Sequence, residues 1–173
     1  MTQAAEIAVL DKDAILECAD ELADVLLDCI AGGASVSFMA GMPKAEAVAF
    51  FRNAAAAAGK GGLVLFAARL QGRIVGTVQL GLDMPPNQPH RGDIRKLLVH
   101  RSARGRGIGA ALMARAEAEA KSRGRTLLVL DTADDSAARL YERGGWVRAG
   151  IIPGYALWPG GGLCDTVIFW KQL

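Results

Sequence analysis

The chain has 173 residues, 51% of them hydrophobic and 22% charged, with a net charge of +2. That length suits one domain with a full core, and the balance excludes both intrinsic disorder and a dedicated nucleic-acid binder, which gathers a far stronger positive field on one face. Charged residues interrupt every apolar stretch before the roughly 18 residues a membrane span needs, and Met1 to Glu6 lacks a basic end followed by an apolar core. A cytoplasmic protein without membrane or nucleic-acid partners is therefore expected.

Residues 11–30 carry Ile15, Leu16, Leu22, Leu26, Cys29 and Ile30 between acids, the pattern of one amphipathic helix. Gly32 and Gly33 end that period, and an uncharged loop follows through Ala34-Ser35-Val36-Ser37-Phe38-Met39. The alanines of 44–58 predict a second helix, stopped at Gly59 and Gly61-Gly62. Leu63–Leu70 and Arg73–Leu82 read as a hairpin across Gln71-Gly72. After a breaker over 84–89, Asp93–Val99 reads as a strand, and Ile108–Arg123 as a helix closed by Gly124. Thr126–Leu130 is a short strand. Asp134 or Asp135 then caps a helix that runs to Arg143 and stops at Gly144-Gly145, and Trp146–Ile152 and Thr166–Trp170 are the last strands. No repeat or linker divides this order, so one domain over 1–173 with an α/β plan around a mixed sheet is expected.

Cys18, Cys29 and Cys164 are odd in number and scattered, which suits buried thiols better than a disulfide framework or a metal knuckle. His90 and His100 stand at no metal-ligand spacing to another His or Cys, so no metal site is expected.

The sharpest chemical signal is Arg104-x-x-Gly107-x-Gly109 between a strand and a helix. Glycines there let backbone N–H groups approach an anion, the helix N-terminus adds partial positive charge, and Arg104 and Arg106 can fork onto phosphate oxygens. A diphosphate would fit. A Walker loop would need Gly-Lys-Ser/Thr where Gly107-Ile108-Gly109 stands, and a dinucleotide fingerprint usually opens the first strand of a domain. A plain tight turn is the remaining reading. Phosphates of a bound ligand would account for most of the basic run Arg95, Lys96, His100, Arg101, Arg104 and Arg106, with Arg95 and Arg101 on a solvated face.

The stretch Leu97-x-Val99-x-x-x-x-Arg104-Gly105-x-Gly107-x-Gly109 resembles the acetyl-CoA motif of the GNAT acetyltransferases, in which proline often stands where this chain has Arg101. Ala137-x-x-Leu140-Tyr141-Glu142-x-x-Gly145-Trp146 is similar to that family's second cofactor segment, with Trp146 where Phe is commoner and Asp134 where asparagine is common. A narrower resemblance, to the tabtoxin-resistance branch, runs through Gly32-Gly33-Ala34-Ser35-Val36, Lys96-Leu97, Ser102 to Gly107, Leu130-Asp131-Thr132 and Pro153-Gly154-Tyr155.

The resemblance implies a mixed, mostly antiparallel sheet with helices on both faces, splayed after Val99 to admit acetyl-CoA as co-substrate. It implies that Arg104, Gly105, Arg106, Gly107, Ile108, Gly109 and Ala110 hold the diphosphate, and that the backbone of Leu97, Leu98 and Val99 holds the pantetheine arm. The acceptor it implies is the amine of a small, amino-acid-like molecule, walled by the first helices and their loop; antibiotic detoxification is one such role.

An amine with a pKa near 10 costs about 4 kcal/mol to deprotonate at pH 7, so a base must take its proton. Asp93 and Asp131 can flank the acceptor from neighbouring strands, and the resemblance makes them the candidate bases. Efficient base work asks for partial burial of at least one of them. On their own residues, Asp93 reads rather as a solvated strand end and Asp131 as a cap for the turn at Thr132, and the resemblance reverses that preference. Tyr141 is the candidate acid for the departing sulfur or, by spacing alone, a core tyrosine. A strand amide near Leu98 or Val99 would steady the developing oxyanion, and no covalent enzyme intermediate is expected. Trp158 lines the acceptor pocket or covers an edge. The alternatives are a protein or peptide N-acetyltransferase and a non-catalytic acyl-CoA sensor. The sequence leaves monomer and homodimer both open.

Overall fold

Leu63 to Ala68 are all buried, and strand alternation sends them to two cores. Leu63, Leu65 and Ala67 join one apolar cluster, and Val64, Phe66 and Ala68 join the other. A computed structural model describes residues 4–173 and shows what builds each cluster. The strands are β1 (Glu6–Leu10), β2 (Leu63–Leu70), β3 (Arg73–Gly81), β4 (Arg91–Val99), β5 (Leu127–Thr132), β6 (Val147–Leu157) and β7 (Leu163–Gln172). The helices are α1 (Lys12–Glu17), α2 (Ala19–Ala31), α3 (Lys44–Gly59), α4 (Ile108–Ser122) and α5 (Asp135–Arg143).

The strands form one seven-stranded sheet in the order β1-β2-β3-β4-β5-β7-β6. Among the described residues only β4 and β5 run parallel; every other neighbouring pair is antiparallel. The helices α1, α2 and α3 supply Ile15, Leu22, Leu26 and Phe51 to the first cluster, while α4 and α5 supply Leu112, Ala116 and Tyr141 to the second. Helices thus cover both faces, as expected. No helix among the described residues is long and apolar enough to cross a membrane.

Four expectations are corrected. The single helix over 11–30 is two, broken at Cys18, whose N–H still bonds Ala14 while its carbonyl starts α2. Ile15 and Leu22, both fully buried in the same core, stand seven residues apart, a spacing that a continuous helix also places on one face, so the hydrophobic period does not register the break. Secondly, five edge residues pair with β2 as β1, too short a run to stand out in the sequence. Thirdly, Pro153-Gly154 does not end β6: the register slips between Ile152 and Ala156, and Gly154 donates to Asp165 Oδ1 at 2.9 Å, so the strand continues through a bulge. Tyr155 to Leu157 are therefore strand rather than loop. Finally, Cys29 and Cys164 are buried but Cys18 is only half-buried.

Candidate functional site

The strands β4 and β5 hold three residue pairs, Arg91↔Leu127, Gly92↔Leu128 and Asp93↔Val129, and then part. The splay therefore begins after Asp93, six residues earlier than the expected point at Val99. Its cause is a bulge in β4: Thr77 faces Leu98 and Gln79 faces Arg95, so β4 spends one residue more than β3 over the same span. Lys96 takes up the excess with a φ of 52°, a left-handed conformation unusual for a lysine.

The gap forms a cleft of about 380 Å³. Its sides are the free edge of β4 from Ile94 to Val99 and the end of β5 from Leu130 to Thr132, with Tyr141 and Ala137 of α5 behind. The uncharged loop after α2 closes one end with Ala34 to Ser37. That loop is tied to the β6–β7 hairpin: the Ser35 hydroxyl donates to the Leu157 carbonyl at 3.2 Å, and the Ala40 N–H to that of Pro159 at 2.9 Å. Tyr155 and Ala156 line the same end, whereas Trp158 does not touch the cleft.

His100 donates its N–H to Val75 of β3, so strand alternation turns the N–H and C=O of Val99 the other way, toward the gap. The Val99 carbonyl is taken by Arg104 Nε at 3.0 Å and by the Cys29 thiol at 3.5 Å. Its N–H is left as a strand donor directed into the cleft.

Beyond β4 the chain makes one 3-10 turn, Arg101–Ala103, and then runs through Gly105 and Gly107 to α4. Both glycines have φ near 75°, where a side chain would be strained, and open space where a Cβ would stand. The N–H groups of Gly105, Arg106, Gly107 and Ile108 have no backbone acceptor among the described residues, and the first intrahelical bond is Ala111 to Gly107. The helix geometry leaves Gly109 and Ala110 free as well. Gly109 is small for a packing reason too, since a Cβ there would meet Leu140 of α5 at 3.0 Å. A run of unpaired donors at a helix N-terminus has the chemistry a diphosphate requires. Arg106 is exposed beside them, whereas Arg104 is folded back onto Val99.

The two candidate bases have different surroundings. Asp93 lies outside the cleft lining, with a side chain 23% exposed and paired to both Arg91 and Arg95. Asp131 is exposed and lines the cleft, with one oxygen accepting from the buried Thr166 hydroxyl at 2.8 Å. Partial burial thus falls on Asp93, the carboxylate that two guanidinium groups already hold. Asp131 does not cap the turn at Thr132; the Thr132 hydroxyl itself accepts from the Asp134 N–H, and Asp134 caps α5.

Tyr141 is 5% exposed, packs on Trp146 and Phe169 with ring centres 6.0 and 5.7 Å away, and still reaches the cleft wall. Burial, helped by the charges of Asp134 and Asp131, pushes its phenol well above the usual range and keeps it protonated. Trp146 Nε1 donates to Glu117 at 2.8 Å, a bond that phenylalanine could not make.

In the sequence Lys96 stands out only as part of the basic run and of the Lys96-Leu97 resemblance, with no role attached. Here it lines the cleft, donates to the Ser37 hydroxyl at 2.8 Å and lies 5.6 Å from the Phe38 ring centre. Burial lowers its ammonium below the ordinary lysine value, against the pull of the Asp131 charge and with Arg95 adding to the lowering. Nothing in the local sequence marks a bulge at Lys96, so only the strand register exposes it. Arg95 and Arg101, expected on a solvated face, are both exposed, and each is also ion-paired, to Asp93 and Asp28 respectively.

The acetyltransferase (GNAT) family model matches residues 34–146. Over 74 residues, 43% of this chain, the sequence is 39% identical to acetyltransferase plu1384 of Photorhabdus laumondii; the match spans 48% of that relative, about half its length. An N-acetyltransferase from Staphylococcus aureus Mu50 superposes with a TM-score of 0.81 at 20% identity, over 98% of this chain and 99% of that one. A phosphinothricin acetyltransferase from Sinorhizobium meliloti, solved with acetyl-CoA, gives 0.79 at 16% identity, over 99% and 89%. At these identities the structural likeness is one of fold.

Proposed function

Because this chain belongs to the acetyltransferase (GNAT) family and is accordingly an acyltransferase, we propose that it carries the acetyl group of acetyl-CoA directly to the amine of a small, amino-acid-like molecule. The observation that carries the reading is the cleft itself. Its free β4 edge and unpaired loop amides suit a long thioester donor, and its lining holds the Lys96 ammonium with three carboxylates, of which Asp134 caps α5 and Asp165 holds the Gly154 N–H, which leaves Asp131 as the partner to Lys96. A small zwitterion complements that pair: the acceptor amine at Asp131, its carboxylate at Lys96. The uncharged Ser35 loop, tied to the β6–β7 hairpin, walls the closed end of the cleft, which favours a small acceptor over a peptide chain.

In this reading Asp131 takes the proton from the acceptor amine, directly or through one water. The Val99 N–H steadies the negative charge that develops on the carbonyl oxygen under attack. Tyr141, held protonated, gives its proton to the departing sulfur. The tabtoxin-resistance likeness fits an amino-acid antibiotic as one such acceptor, and a single domain working as monomer or homodimer suffices for all these steps.

Initial rates with amino acids, peptides and aminoglycosides, read by mass spectrometry of the acetylated product, test the assignment. Activity on amino-acid-like amines is expected. In Lys96→Met the acceptor KM is expected to rise about tenfold, the worth of one charge-assisted bond, with donor affinity unchanged. Turnover of peptides alone would end the small-molecule reading, and acetyl-CoA binding without turnover of any amine would leave a sensor.

A further inference from the structure

We infer that Asp28 is a positioning residue for donor binding, holding the turn that carries the diphosphate loop through the backbone and side chain of Arg101. Asp28 lies in the last turn of α2 with its side chain 13% exposed, although the residue it serves is 73 positions away. One carboxylate oxygen accepts the Arg101 backbone N–H at 2.7 Å. The other accepts Arg101 Nε at 3.0 Å and faces Nη2 at 2.9 Å, a forked pair, while His100 Nε2 stands 3.5 Å from it. The same His100 ring holds Ser102 through Nδ1, whose distances are 2.8 Å to the hydroxyl and 3.3 Å to the backbone nitrogen. Asp28 thereby holds the Arg101 backbone N–H and guanidinium and stands beside the His100 ring, at the start of the turn from which the Gly105–Gly107 loop springs.

Two further contacts fit this role. The aliphatic stem of Arg101 lies across Gly32, where a Cβ would come within 3.0 Å of its Cδ, so the end of α2 is shaped to seat it. One residue on, Cys29 touches both Val99 and Arg104, binding the same helix end to the other side of the loop. Arg104 leaves the turn after these contacts, and the unpaired amides follow immediately. The clamp is also placed to couple the two halves of the cleft, since α2 continues directly into the Ala34–Ser37 wall.

A carboxylate is needed because the turn starts with a residue that still has an N–H. His100 has φ −52° and ψ 136°, the region that a following proline imposes on its predecessor. Arg101 opens a 3-10 turn, where proline's fixed φ also fits. A proline at position 101 would therefore hold the same path by covalent restraint and leave no N–H to satisfy.

The inference rests on the donor assignment of the proposed function, and coenzyme A binding by calorimetry separates the two. If the unaltered protein fails to bind coenzyme A, both readings fall. With binding present, Asp28→Asn and Asp28→Ala are each expected to weaken it about tenfold, the loss set by one charge-assisted hydrogen bond. The double variant Asp28→Ala, Arg101→Pro is expected to recover most of that affinity, which a general loss of stability would not allow. Unchanged coenzyme A affinity in both Asp28 variants would overturn the inference, as would failure of the proline to restore it in a double variant whose melting point matches that of Asp28→Ala.

Discussion

Two guanidinium groups hold Asp93, while one hydroxyl holds Asp131, and Asp131 alone of the two faces the cleft. Asp131→Asn is accordingly expected to lower kcat about 100-fold, the scale of a lost general base, with coenzyme A affinity retained. Asp93→Asn is expected to leave kcat within about threefold and to lower stability by about 1 kcal/mol, because Arg91 and Arg95 lose a half-buried partner. Steady-state kinetics beside thermal melting separate the two, and the reverse pattern would exchange their roles. Tyr141 makes a pH prediction. Its folded value is raised by burial above that of an unfolded tyrosine, so the stability it brings is complete below about pH 10 and drains away as pH rises further. Melting scans from pH 8 to 11 should show a steeper alkaline loss for the natural protein than for Tyr141→Phe, while kcat of that variant is lower at every pH.

At the level of elements, the cleft depends on how closely β3 approaches α4. A Cβ on Gly76 would meet the Leu98 carbonyl at 3.1 Å, Leu112 Cδ1 at 3.2 Å and Ile108 Cγ2 at 3.3 Å. Gly76→Val is expected to cost about 1–3 kcal/mol by overpacking and, by displacing the first turn of α4, to weaken coenzyme A binding as well. Chemical denaturation and calorimetry on one preparation check both effects. Much of this architecture was legible because it is local: the alanines of α3, the Gln71-Gly72 hairpin and the Gly144-Gly145 stop each act within a few residues. The loop amides were legible for the same reason, since glycines at 105 and 107 announce a backbone that approaches something. What escaped was set by partners distant in sequence. The bulge at Lys96 exists only relative to β3, the anchoring of Arg101 lies in α2, and Pro153-Gly154 stops a strand only when no neighbour such as Asp165 takes up the freed N–H.

Across the whole molecule, the sheet is two sub-sheets sharing one narrow seam. The helix α4 rests on β2, β3 and β4, while α5 rests on β5 and β6, and both bury side chains in one apolar cluster that spans the seam. Along the strands, the halves are joined by the three parallel pairs that end at Asp93, and at the closed end of the cleft the Ser35 loop reaches across to the β6–β7 hairpin. Residue 4 leads into β1 at one margin and residue 173 leaves β7 near the other. Tension applied between these two points loads the seam in shear. A molecule lying along both β4 and β5 would then act as a rivet, so that occupancy of the cleft registers as resistance to mechanical rupture.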